Sequence, residues 1–457
     1  MDTPTPCPTG LRRELGTLES YAILIGILVG AGIFTVTSDA GAVAGPSVIL
    51  GYIVLAPVVM ASATAYLVFL STPLGLLPGG EVLHIARTFE NRTLTFQSAW
   101  LKCVSYLGAA AYLADALALN LEALFGADLG PVAHTMLALS SLAFFWFVHT
   151  RSVRWFGRLQ VAMCSVLAVA LLVLIGPGLF AVEAKNLQPF FPAGWHGFAN
   201  ALPMLFFAYA GFESLAHSAG EVRDSRRRLP AVFVRGLVVT TGLFVAMSIV
   251  AFGVLPAHEV SATGVPMSRA AATYLPVGAR EFVTIGAIMA IATSLNATLL
   301  VPARLAWSMA QLGQLPRAFG RLHARRQIPV FGVTMSALLI ALLVVSGQRH
   351  VALAIATVAL MALYAIHSLA LLALPTRNPQ LYAQALTRVP RWLQVAAAWL
   401  SVASLTTVLG IQVEGDVVRR WTSPWQNEPT TLELLLAWIL VGLVLERFGA
   451  HRSRTRP

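Results

Sequence analysis

The chain has 457 residues, of which 57% are hydrophobic and 11% charged, with a formal net charge of +11. Soluble globular chains carry about a quarter charged residues, so this composition excludes a large water-solvated globule. It calls for a surface that mostly meets lipid, and apolar runs near the ~20 residues that span a hydrocarbon layer recur from end to end.

The first residues, MDTPTPCPTGLRREL, lack a signal-peptide arrangement, and the apolar run that starts near Tyr21 continues as a full span. Residues 1–19 are therefore read as a cytoplasmic N-terminal segment. The predicted spans, in chain order, are 20–43, 47–70, 97–121, 132–149, 157–180, 198–217, 232–254, 281–305, 330–346, 350–373, 392–412 and 431–447, with 448–457 as a cytoplasmic tail. The expected class is all-α, a polytopic membrane protein of about twelve transmembrane helices.

Charge placement tests that count. With the N-terminus inside and strict alternation, 25 of the 31 Lys and Arg residues fall on the cytoplasmic side and 6 on the other. The bias follows the positive-inside rule, and it includes Lys102 and Arg304 among the inner cations. The basic run Arg223-Asp224-Ser225-Arg226-Arg227-Arg228 directly follows a span, where an anionic lipid surface attracts it. The net charge then implies membrane lipid as a partner and no nucleic acid.

Enzymatic and ATP-driven functions find no support in the residues. The longest loops between spans are about 25 residues, too short for a soluble catalytic domain. His, Cys and acidic residues do not gather at metal-ligand spacing. No glycine-rich loop leads into the Lys-Ser/Thr of a phosphate-binding loop. Cys7, Cys103 and Cys164 form no disulfide framework. No cofactor, no metal and no catalytic residue is expected.

Two spans carry an unusual small-residue interruption near their middle. Span 1 has Gly30-Ala31-Gly32-Ile33, and span 6 has Ala208-Tyr209-Ala210-Gly211-Phe212-Glu213. Carriers built from inverted repeats bind substrate where corresponding helices break near the midplane. Glycine tolerates the backbone angles of such a break, and irregular backbone at membrane depth is tolerated only against protein or a cavity. Freed N–H groups suit a carboxylate and freed carbonyls an ammonium, and an amino acid carries both. The competing reading is close helix packing, since Gly26 and Gly30 also form a Gly-x-x-x-Gly pattern.

Four segments in order then resemble the amino acid–polyamine–organocation (APC) transporter superfamily: residues 12–36 with Gly-Ala-Gly-Ile-Phe at 30–34, residues 44–54, residues 202–233, and residues 291–323. The resemblance covers nearly the whole chain. It implies a LeuT-like 5+5 inverted repeat, spans 1–5 (20–180) and 6–10 (198–373), with two additional C-terminal helices (392–447). It also implies a cell-membrane permease that moves amino acids or related amines by alternating access. Coupling to a proton, coupling to sodium, exchange and uncoupled passage all stay open. A polyamine or amine exchanger of the same fold is the alternative, ahead of a channel or a non-transporting sensor.

On this reading the backbones at Gly30, Ala31, Gly32 and Ile33, and at Phe207, Ala208, Tyr209, Ala210, Gly211 and Phe212, hold the substrate. Phe207, Tyr209 and Phe212 either cover its side chain or pack in the core. Glu213 is a gating or coupling candidate, because a carboxylate inside a membrane is expensive and functional by default. Asp115 in span 3 either faces the pathway or lies near the outer water. Arg304 snorkels or pairs with an acid at the inner gate. Thr293 and Ser294 are adjacent hydroxyls that suit a cation or satisfy helix carbonyls.

Two departures limit the likeness. Val68 or a neighbour stands where relatives carry an acid at the end of span 2. Leu167 stands near the position of a span-5 lysine found in some proton-driven relatives, which weakens that coupling mechanism here.

Overall fold

The structure, a computed structural model, describes residues 11, 13–30, 34, 36–125, 130–256, 266–276, 278–422 and 430–454. Among these the ordered elements are helices, apart from one isolated parallel bridge between Leu15 and Val222. In chain order they are α1 (Thr17–Val29), α2 (Thr37–Ala44), α3 (Val48–Ser71), α4 (Gly80–Phe89), α5 (Arg92–Phe125), α6 (Gly130–Arg151), α7 (Val153–Phe180), α8 (Gly194–Tyr209) and α9 (Ser214–His217). The second part holds α10 (Ser225–Val254), α11 (Pro266–Tyr274), α12 (Ala279–Gln311), α13 (Val330–Val345), α14 (Arg349–Arg377), α15 (Pro379–Ala383), α16 (Arg391–Thr422) and α17 (Thr431–Arg454).

Among the described residues, eight helical runs are long and apolar enough to cross a membrane: Thr37–Ser71, Arg92–Leu124, Gly130–Arg151, Val153–Phe180, Ser225–Val254, Glu281–Gln311, Val351–Arg377 and Arg391–Thr422. Thr17–Val29 and Val330–Val345 are apolar but shorter. A polytopic helical membrane protein is the class that follows.

The runs differ in how much of themselves they hide. In Glu281–Gln311, 89% of the apolar stretch is buried within the protein, and in Arg92–Leu124 78%, against 22% in Gly130–Arg151. α12 and α5 are thus central, while α6 turns most of its apolar surface outward. Leu172, Phe180, Val132 and Leu342 are all well exposed. Such residues are costly in water and at home against acyl chains.

Both predicted interruptions fall between helices. α1 stops at Val29, and Gly30, with φ −60° and ψ −114°, is no longer helical. The helix resumes at Thr37 as α2. α8 stops at Tyr209, Ala210 is extended, Gly211 has φ +107°, and α9 starts at Ser214. The angle at Gly211 is one that side-chain-bearing residues rarely adopt. α8 begins at Gly194, so Pro203 lies in its interior rather than in a first turn.

One end of the bundle is tied together by the chain start. Leu15 N–H donates to Glu221 O and Arg223 N–H to Leu15 O, at 3.0 and 2.9 Å. The guanidinium of Arg228 also donates to the Thr17 hydroxyl at 3.1 Å. These bonds fasten the start of α1 to the segment after α9.

Candidate functional site

The last turn of α1, just before the first interruption, and the second interruption border one small cavity of about 30 Å³, close to the share of a single water in the liquid. Ile27 from the end of α1, Phe207 and Ala208 from the end of α8, and Ala210 and Gly211 from the break after it line one part of the cavity. Tyr106, Ala109 and Leu113 of α5, Ser294 and Thr298 of α12, and Leu360 of α14 line the rest.

Gly30 is enforced by what surrounds it. A Cβ at this position would sit 1.6 Å from the Ser294 hydroxyl oxygen and 2.6 Å from Ala290 O. Neither α12 backbone nor a buried hydroxyl can withdraw that far, so only glycine fits in this arrangement. Ala31, Gly32 and Ile33, predicted to bind substrate alongside it, lie outside the described residues.

Thr293 and Ser294 spend their hydroxyl protons on the end of α1. Thr293 donates to Gly26 O at 2.9 Å and to Ala290 O at 2.7 Å, and Ser294 to Gly26 O at 3.0 Å and Ile27 O at 2.8 Å. A helix that stops early leaves carbonyls without partners, and α12 supplies them. From α7, Gln160 donates to Ala22 O and Thr293 O, both at 3.2 Å, and the Cys164 thiol to Ala22 O at 3.2 Å. Leu167 is buried in the apolar core.

Phe207 lines the cavity and meets Tyr112 edge-on, with ring centroids 6.2 Å apart. The rings of Tyr209 and Phe212 go elsewhere. Tyr209 packs against Tyr52 and Phe244 and donates to Tyr52 O at 3.0 Å. Phe212 is fully buried against Tyr66, Phe233 and Tyr364. Their side chains belong to the core.

Glu213 anchors a buried charge cluster directly behind the cavity wall. Its Oε1 accepts from Lys102 Nζ at 2.7 Å and from the Tyr106 hydroxyl at 2.8 Å. Its Oε2 accepts from Gly211 N–H at 3.0 Å and from the Tyr364 hydroxyl. Lys102 Nζ is also 2.7 Å from Glu81 Oε1 and 4.5 Å from the centre of the Tyr106 ring. His217 Nε2 lies 3.3 Å from Glu81 Oε2. Glu81, Lys102, Glu213 and His217 all have 0% side-chain exposure.

This cluster gives Lys102, counted from the sequence among the cytoplasmic-side cations, an enclosed place within a helix. α5 starts at Arg92, so Lys102 sits ten residues, or about 15 Å of rise, inside the helix. Its four-carbon stem and ammonium are enclosed by residues from α4, α5 and the α8–α9 break. Sequence reasoning weighed the intramembrane acid and passed over the cation. The available signal was a lone lysine followed by the apolar length of span 3. Glu81, also missed, stands at the start of α4 after Gly79-Gly80, while Val68 is buried among Phe69, Leu74 and Leu371.

Arg304 does not reach the interface. It is 1% exposed and donates to Glu221 Oε1 at 3.1 Å, with Glu221 equally buried. A buried pair of this kind holds α12 to the segment after α9. Asp115 is not brought to the central cluster. It and Glu122 each lie 3.1 Å from His134, with partly exposed side chains.

Comparison with known proteins adds an independent line. The sequence model of the amino acid permease family matches residues 15–444. The chain is 25% identical over 349 residues to the branched-chain amino acid permease BcaP of Bacillus subtilis, covering 72% of this chain and 74% of that one. It is 27% identical over 338 residues to the methylthioribose transporter of the same bacterium, covering 70% and 72%. It is 27% identical over 330 residues to cationic amino acid transporter 9, chloroplastic, of Arabidopsis thaliana, covering 68% of this chain and 58% of the plant protein. The solutes in these three names differ.

Proposed function

Because this chain belongs to the amino acid permease family, we propose that it is a secondary transporter working by alternating access, with the amino-acid head group held where the two helix breaks face each other. The observation that carries this reading is the convergence of Ile27, Ala208, Ala210 and Gly211 on one cavity. The breaks are far apart in sequence, and packing of small residues alone does not require their ends to border a common space.

The reading has twelve spans, a repeat of 20–180 against 198–373, spans 11 and 12 outside it, both termini cytoplasmic, and the cell membrane as location. A cavity of about 30 Å³ is too small for an amino acid. Binding therefore requires the walls to separate, and Phe207 is the large side chain whose rotation enlarges the space. Gly211 N–H is already taken by Glu213, so a substrate carboxylate would draw on other backbone N–H groups at the breaks.

The test is counterflow of labelled amino acids by the purified protein in vesicles. Accumulation against internal unlabelled solute supports a carrier, and binding without flux under every gradient contradicts it. Running the assay with and without sodium separates a cation site at Thr293 and Ser294 from carbonyl capping, which the hydrogen bonds to Gly26 and Ile27 favour. Separate proton gradients test coupling at Glu213.

A further inference from the structure

The acid nearest the cavity is neutralised from inside the protein. Tyr106 and Gly211 line the cavity. Behind them both oxygens of Glu213 are filled, one by Lys102 and Tyr106, the other by Gly211 N–H and Tyr364. Glu81, the second acid, holds the same ammonium from its other side at 2.7 Å. Of the remaining lining groups, the Ser294 hydroxyl is spent on carbonyls of α1, Thr298 brings a neutral hydroxyl, and Ile27, Ala109, Leu113, Phe207 and Leu360 are apolar.

A substrate with a cationic side chain in this cavity would meet no free carboxylate oxygen. To gain one it would have to displace Lys102, whose side chain has 0% exposure. Stranding a buried ammonium or leaving it beside a second cation is strongly unfavourable. An uncharged apolar side chain meets neither obstacle and gains contact with the lining.

Resting on the transport reading above, we propose that Lys102 is a resident cation that sets the substrate class: it occupies the acid pair Glu81 and Glu213 and reserves the cavity for amino acids with uncharged, apolar side chains. Lys102 acts through Glu213 and the wall residue Tyr106, as a positioning and specificity residue.

The test uses full-length protein in vesicles, with labelled apolar amino acids for counterflow and arginine, lysine and their unlabelled apolar counterparts as competitors. The wild type should be competed by apolar amino acids at least tenfold more effectively than by arginine or lysine. In Lys102→Gln the ratio should shift toward arginine by tenfold or more. The same direction is expected for Glu81→Gln/Lys102→Gln, which removes one charge of each sign and serves where the single variant does not fold. Equal competition by arginine and leucine in the wild type, or an unchanged ratio in a folded Lys102 variant, would overturn the assignment of Lys102 alone. Absence of counterflow with every amino acid would overturn the transport reading and this proposal with it.

Discussion

Lys102 Nζ lies 2.7 Å from Oε1 of Glu213, with both side chains fully buried. The contact joins the first third of α5 to the segment where α8 gives way to α9. It places a positive charge behind the cavity wall, where the backbone at Gly211 meets a carboxylate. An ion pair so enclosed is rarely a source of net stability, because desolvation offsets most of the attraction. Its value lies in the arrangement it imposes, since separating the charges moves the wall.

The Arg304–Glu221 pair provides a stability test. Both partners are about 1% exposed, and removing one strands the other, at a cost of about 3–5 kcal/mol. Arg304→Ala should lower the melting temperature of the detergent-solubilised protein well below that of Arg304→Met/Glu221→Leu, in which neither charge remains. Equal melting of the two variants would contradict the pairing.

Phe207 and Tyr209 are two residues apart and should behave differently. Phe207→Ala enlarges the cavity and should change the apparent KM for an apolar amino acid on the order of tenfold, equivalent to about 1.4 kcal/mol. Tyr209→Phe deletes a hydroxyl that donates to Tyr52 O. It should cost about 1 kcal/mol of stability and leave substrate preference alone. Competition profiles of both variants decide, and a shifted preference in Tyr209→Phe with none in Phe207→Ala would reverse the assignment of the two rings.

The orientation is testable by labelling. The exposed Arg325 follows α12 and the exposed Lys185 follows α7. In a variant lacking native cysteines, Arg325→Cys should be protected from a membrane-impermeant thiol reagent applied to intact cells, and Lys185→Cys should react. The opposite pattern would place the termini outside.

The breaks were legible in the sequence because small residues are a local signal. Gly30 and Gly211 announce positions where a side chain is excluded by space or by angle, and both lie outside the helices on either side. The charge cluster was not legible in the same way. Glu81, Lys102 and Glu213 come from three elements, and only tertiary packing brings an oxygen of each acid within 2.7 Å of the Lys102 ammonium. Lys102 sits close enough to the start of α5 that the charge count takes it as one more cytoplasmic-side cation. Arg304 was noticed, but its partner Glu221 follows a four-residue helix whose course after the break no periodicity predicts. Tyr209 and Phe212 flank Ala210-Gly211 in sequence, yet with Ala210 extended and Gly211 at positive φ both rings lie in the core.

The account rests on Gly30 leaving room at the junction of the first break with α12. The most direct measurement is counterflow by Gly30→Val, reconstituted beside the wild type and shown to be monodisperse and folded. A valine there would drive its Cβ to within 1.6 Å of the Ser294 hydroxyl oxygen, displacing the wall that the two breaks share. The account predicts that the folded variant loses counterflow and substrate-induced thermal stabilisation together. Wild-type counterflow by folded Gly30→Val would contradict it.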